Sequence, residues 1–492
     1  MKRYPFFIFI VMLLFSATAT AQTLAEKVQE HQLDNGATLL MVERHASPTI
    51  AAYISFRVGS ANETSEQRGG AHLLEHMLFK GTKTLGTRDY AAEQPLLRQI
   101  EEVGSRLDDE KIRPDANEEK IRQLRAQLQA LQQEHRQFVI KDEFARIYSE
   151  NGGVGFNAFT GKDLTTYLIN LPANKLELWA AIESDRLQNA VFREFYTERD
   201  VVREERRRSY EANPQGMLYE SLLAMAYKVH PYGEPIIGWA SDIEQLRLDE
   251  IRSFFTNYYR PANMVITLVG DFEADAAIAL VARYFGRLDS GVPVPPVADR
   301  EPEQQGERRV AINFDAEQQL MIAFHKPTMP QADDYVFDVL MQVLTEGRTS
   351  RLYQALVLEQ QLVSNVDVYS APGSRYDNLM VLRLTPRQSS SFREVEEAVY
   401  AELERLKKEP ISAAELTKAR KQIKTSFLRR MRSNSGLARM LSSYQALGDW
   451  RYLVNYPERL AAVTSADLME VAARYLQQDN RTVAILSRGG QG

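Results

Sequence analysis

Cysteine is absent from the 492-residue chain. Disulfides, thiolate metal sites and cysteine nucleophiles are excluded together, so any bound metal has to be held by imidazole and carboxylate. Histidine is scarce, at seven residues. The basic and acidic residues number 60 and 66, a net charge of −6, which implies no polybasic partner surface and no nucleic-acid partner. Past the N-terminus no apolar run approaches membrane-spanning length. An apolar content of 44% and a charged content of 26% describe a soluble globular protein, and the length asks for two or three domains rather than one core.

The first residues read as a targeting signal. Lys2 and Arg3 give a basic start, Pro5 to Phe15 is an apolar run too short to span a bilayer, and Ala19-Thr20-Ala21 is a small-residue cleavage signature. Residues 1–21 are therefore expected to be a signal peptide cut before Gln22. Loss of Lys2 and Arg3 takes the charge from −6 to −8. The expected location is a bacterial periplasm.

The few histidines are not scattered evenly. His72 and His76 stand four apart in RGGAHLLEHMLFKGT. On a helix that spacing stacks two imidazoles on one face, where both can aim at one cation. Glu75 lies beside that face, placed to act on a metal-bound water. The order H-x-x-E-H is the inverse of the zincin motif. Catalytic zinc takes three protein ligands and keeps a fourth position open, so a His, Asp or Glu from elsewhere is required. His31, His45, His135, His230 and His325 have no partner at helical spacing and read as ordinary surface or core residues. The charged segment VFREFYTERDVVREERRRSYEAN reads as a helix on which Glu198 and Glu205, two turns apart, share a face; most of its other charges read as solvated.

Around this centre the chain divides in an orderly way. ATLLMVERH and TIAAYISFRVGS are strand-like, with Asp34-Asn35-Gly36 as a turn before the first. Residues 91–144 read as an inserted antiparallel helical hairpin, with Leu96, Leu97, Ile100, Val103 and Leu107 on one arm and Ile121, Leu124, Leu128 and Leu131 on the other. Such a hairpin could be a lid or docking arm, or a solvated decoration whose apolar stripe only zips its two helices together. NGGVGFNAFTGKDLTTYLINLP returns to strand character. Residues 289–309, rich in proline and charge, read as a linker. Beyond it the theme restarts: SADLMEVAARYLQQDNRTVAILS repeats the order of LDEIRSFFTNYYRPANMVITLVG, a helix, a short turn and an apolar strand. The expected fold is α+β, with a metal-bearing half (22–288) and a metal-free half (310–492). The second half has no histidine in its corresponding helix, Tyr335 to Glu346.

HLLEH after a Gly-Gly loop, NAFT, ERDVVREE, HPYGEPIIGW and YYRPANMVITLVGDF together resemble the pitrilysin/insulinase family, in its shorter branch of mitochondrial-processing-peptidase-like proteins. The resemblance implies two related α/β halves forming a clam-like chamber, and a Zn²⁺-dependent endopeptidase. It implies Glu205 as third metal ligand and Glu198 as its helper acid. Glu204, the neighbouring candidate, does not stand seven after Glu198. The step of 129 positions from His76 to Glu205 is longer than the family usually has, and the 91–144 insertion accounts for the excess. Glu75 becomes the general base. NAFT falls on an edge strand beside the metal, with Asn157 and Ala158 as substrate contacts through strand addition and Phe159 as a packing residue. The family's Arg/Tyr pair in the second half, which aids the substrate oxyanion, falls here on Val357 and Ser364. Two expectations follow: a metal-free homologous chain supplies the pair in a dimer, or Arg351, Tyr353, Arg375 or Tyr376 substitutes within this chain or a homodimer. A peptide-holding or assembly subunit without catalysis is the alternative function.

Overall fold

The computed structural model describes residues 23–488. The expected signal peptide, residues 1–21, lies outside the described residues. No helix among them is long and apolar enough to cross a membrane.

Two mixed sheets organise the chain. The first holds β1 (Gln29–Gln32), β2 (Thr38–Glu43), β3 (Thr49–Phe56), β4 (Val154–Thr160), β5 (Thr165–Pro172) and β6 (Met264–Gly270), in the order β1-β2-β6-β3-β5-β4. The second holds β7 (Arg308–Asn313), β8 (Gln319–Lys326), β9 (Val363–Ala371), β10 (Asn378–Pro386) and β11 (Arg481–Ser487), in the order β7-β11-β8-β10-β9. The two orders superpose strand for strand once β1 is set aside. In each sheet one parallel pair, β2 with β6 and β7 with β11, is flanked by antiparallel partners. The repeated sequence pattern is the reason. Leu248–Tyr258, a short 3₁₀ turn and β6 correspond to Ser465–Tyr475, a 3₁₀ turn and β11. The fold is α+β in two related halves, as the sequence indicates.

Strand alternation sends neighbouring side chains to opposite faces, and here both faces are apolar. On β2, β3 and β6 the residues Leu39, Met41, Ile50, Ala52, Ile54, Phe56, Ile266 and Leu268 pack under the helices of the first half. Their neighbours Leu40, Val42, Ala51, Tyr53, Val265 and Val269 join the core of the second half. The cover on that side includes Asn434–Leu447, a helix of the second half; Ser442 Oγ meets Ser55 Oγ on β3 at 2.6 Å. The exchange is reciprocal. Pro214–Ala226, a helix of the first half, lays Leu218, Leu222, Leu223 and Ala226 against Met321, Ala323, Leu379, Val381, Ala484 and Leu486 of the second sheet. Each half therefore completes the other's core.

The hairpin forms from Tyr90–Ile112 and Glu118–His135, with Asp89 and Asn117 accepting backbone N–H groups as N-caps. Its arms meet through the expected apolar positions, but it does more than zip itself together. Gly104 lies against the Tyr196 ring, where a Cβ would stand 2.0 Å from the ring carbon. Asp108 receives both terminal nitrogens of Arg199 at 2.9 Å. At the base, Glu93, His135 and Arg193 form a buried network. The first arm thus supports the helix that carries Glu198 and Glu205.

If the exchanged helices weld the halves into one unit, Leu222→Ala should cost about 2–5 kcal/mol and shift one cooperative transition. Calorimetry that resolves two separate transitions would contradict the interlock.

Candidate metal centre

The motif forms the helix Gly70–Met77. Gly69 precedes it at φ 85°, a left-handed conformation, and a Cβ there would stand 2.5 Å from the Ile237 carbonyl oxygen. Glu63 accepts hydrogen bonds from Gly69 N (2.9 Å) and Ala71 N (2.8 Å), satisfying two donors that a helix start leaves open. Ala71, Leu73, Leu74 and Met77 bury the inner face against the first sheet. The remaining face holds His72 and His76, with ring centroids 4.7 Å apart.

The second contributor is the helix Phe195–Arg206. Phe195, Tyr196 and Val202 anchor it in the core. The solvated-face reading of its charges is incomplete. Arg199 and Arg206 are buried; Arg199 is held by Asp108 and Arg206 by Glu220 at 2.7 and 3.1 Å. Glu204 does turn outward, to Arg207.

The two helices meet at one point. Glu205 lies 3.8 Å from His72 Nε2 and 3.6 Å from His76 Nε2, and the three donor atoms all fall within 4.8 Å of one another. Those two distances run to different oxygens, Oε1 and Oε2; ligand bonds of about 2.0–2.2 Å in a tetrahedron imply donor separations of about 3.4 Å, so the set fits zinc once its longer separations close. The two imidazoles are pushed in opposite directions. Burial, then the neighbouring His76, pushes His72 down to about 3, which keeps its imidazole in the neutral, metal-binding form. His76 Nδ1 pairs with Glu198 Oε1 at 2.9 Å; burial works against ionisation of the ring, but that bond and the carboxylates of Glu198, Glu75 and Glu205 outweigh it and hold His76 above its usual range, so a metal at Nε2 would take the place of a proton. Burial works against ionisation of Glu198, but the bonds from His76 and Lys80 outweigh it and hold its carboxyl below the usual range.

Glu75 is buried on the same helix and accepts the Thr160 hydroxyl at 2.5 Å. Burial raises its carboxyl above the ordinary glutamate value, with the Thr160 bond opposing the rise. Thr160 ends β4, the outermost strand of the first sheet. On that strand Ala158 shares the inward face with Thr160 and is buried, whereas Asn157 is exposed. Phe159 points to the other side, under the Arg439 guanidinium at 5.0 Å from the ring centre. Thr160, Glu63 and Lys80 escaped the sequence reading. For Thr160 and Lys80 a signal existed: both sit inside the motif stretches NAFT and HMLFKGT.

Val357 and Ser364 do not approach this chemistry. Val357 is buried in the core of the second half, and the Ser364 hydroxyl donates to Thr385 O. Arg351 is tied to Glu415 at 3.0 and 3.3 Å. Tyr376 accepts Val297 N–H at 2.8 Å.

Two halves of one strand order, with an imidazole and carboxylate donor set in the first half alone among the described residues, define a two-domain class of protein with one half able to hold a metal. The family model described as insulinase (peptidase family M16) matches residues 38–108 and 140–239, and that described as the peptidase M16 inactive domain matches 245–423. The chain belongs to the insulinase family, peptidase family M16. The first match breaks over 109–139, inside the 91–144 segment, and takes in most of the first hairpin arm. The zinc protease PqqE of Helicobacter pylori is 28% identical over 97% of this chain and 96% of its own length. The uncharacterised zinc protease YmxG of Bacillus subtilis is 24% identical, over 94% and 99%. Among solved structures, a protease from Helicobacter pylori superposes with a TM-score of 0.78 at 26% identity, covering 94% of this chain and 99% of that one. The periplasmic protease PqqL from Escherichia coli shares the fold at a TM-score of 0.70 and 18% identity, over 94% of this chain and 48% of its own.

Glu205→Gln should abolish stoichiometric zinc uptake, while Glu204→Gln should leave it intact. Elemental analysis after dialysis distinguishes the two; equal retention would remove Glu205 from the donor set.

Proposed function

We propose that the protein is an exported, zinc-dependent endopeptidase acting on extended or unfolded peptides, with Glu75 as general base. The convergence of His72, His76 and Glu205 beside an ordered, buried Glu75 carries this reading. Zinc at this donor set would supply Lewis-acid activation of the reacting centre. The chain's own residues do the rest. Glu75 removes a proton from the attacking water and delivers it to the departing amine. A carboxyl with a raised affinity for protons suits both transfers. Thr160 fixes the Glu75 carboxylate through Oε2. Glu198 holds the His76 ring by its Nδ1 proton. An extended peptide adds to β4 through main-chain hydrogen bonds, with Asn157 and Ala158 as the strand positions it meets.

Export rests on Lys2, Arg3, the Pro5–Phe15 run and Ala19-Thr20-Ala21, and a periplasmic location follows from it. The loss of the Arg/Tyr pair favours a dimer in which a metal-free homologous chain supplies the missing donors. Arg351 and Tyr376, two candidate substitutes, are engaged within the second half and the linker. The same loss is what favours the second reading, a peptide-holding subunit without turnover.

Glu75→Gln should retain zinc and lose about 10²–10⁴-fold in turnover of an unstructured peptide; hydrolysis at the parental rate would refute the general-base role. A chelator should abolish cleavage and added zinc restore it. Full activity of the purified chain alone would exclude the need for a partner. Zinc uptake with no hydrolysis, partner present or absent, would favour the holding subunit.

A further inference from the structure

We propose that Lys80 is a positioning residue for the metal centre: by pinning the far oxygen of Glu198, its ammonium group sets the affinity of the His72/His76/Glu205 donors for zinc. The inference rests on the metal-site reading above and extends it by one residue.

Glu198 divides its two oxygens. Oε1 accepts from His76 Nδ1 at 2.9 Å, and Oε2 meets Lys80 Nζ at 2.5 Å. The Glu198 side chain is only 9% exposed, so solvent cannot take the place of the ammonium group. Glu75, Glu198 and Glu205 crowd three carboxylates about the two histidines. Among the described residues, Lys80 is the one lysine or arginine within 4 Å of any of them. Without it, the buried Glu198 would keep an uncompensated charge or turn from His76. Either outcome loosens the ring whose Nε2 must face the metal, and carboxylates that orient ligating histidines contribute strongly to affinity.

Lys80 is itself held. Its carbonyl accepts from Arg193 Nη1 at 2.9 Å, and Arg193 also donates to Thr82 O at 2.8 Å. Arg193 is fully buried and paired with Glu93, which contacts His135 Nε2 at 2.7 Å. The main chain under Lys80 is therefore clamped by the base of the helical hairpin. The ammonium group needs only to span from a fixed point to Glu198, with Glu194 3.9 Å away as a weaker second contact.

The test is a zinc titration of the full chain against a chromophoric chelator, which requires no activity. Lys80→Met should weaken zinc binding about tenfold, at the lower end of the effect of removing an orienting partner, and Lys80→Arg should recover most of it. In a Glu198→Gln background the Lys80→Met loss should disappear, because the two residues act in series. Thermal unfolding of the metal-free variants checks that the fold is intact, and Lys80→Gln repeats the comparison with a polar side chain. Wild-type affinity in both Lys80→Met and Lys80→Gln overturns the proposal. So does an undiminished loss in the Glu198→Gln background. A wild-type chain that takes up no zinc overturns the metal centre itself, a separate and distinguishable failure.

Discussion

The centre depends on the angle and spacing at which two short helices meet. His72 and His76 come from one, Glu205 from another more than a hundred residues later, and neither helix alone offers all three donors. An error of one turn, about 5.4 Å, would disperse the donors. Much of the first half serves to fix that meeting. Glu63 and the sheet seat the motif helix, Asp108 and Glu220 hold the partner helix by its buried arginines, and the His76–Glu198 bond joins the two. The arginines paired this way contribute placement more than net stability, since pairing only offsets the desolvation of burying them.

The pairs most readable from sequence were those encoded locally. The spacing of His72 and His76 fixes their common face, and the Gly-Gly step fixes the helix start. The Leu248 and Ser465 segments announced the repeat because helix, turn and strand each impose a short-range period. Glu205 was different: no local pattern selects it over Glu204, and only resemblance to a family supplied the choice. In the structure Glu204 turns to Arg207, as the step of about 100° between neighbouring helical positions requires once Glu205 faces the histidines.

What escaped sequence reading were contacts between distant segments. Helix Asn434–Leu447 covers the first sheet, yet its own residues would suit any buried sheet face. Arg199 and Arg206 look like surface charges until Asp108 and Glu220 arrive from other segments to meet them. The hairpin offers the same lesson. Its apolar stripe indicated two helices zipped together, but Gly104 against Tyr196, and Glu93 beneath Arg193, are what make it a brace for the centre.

The reciprocal loan of helices between the two sheets has a topological corollary. Severing the backbone between 289 and 309 would not release either portion, because Pro214–Ala226 and Asn434–Leu447 would still be seated on the opposite sheet like the tenons of a dovetail. The stretch itself is fastened too, Glu301 gripping the main-chain N–H groups of Lys228, Val229 and His230. The joint is thus a product of interlocking shape rather than of covalent continuity. A nicked molecule would travel as one particle until something unfolded it.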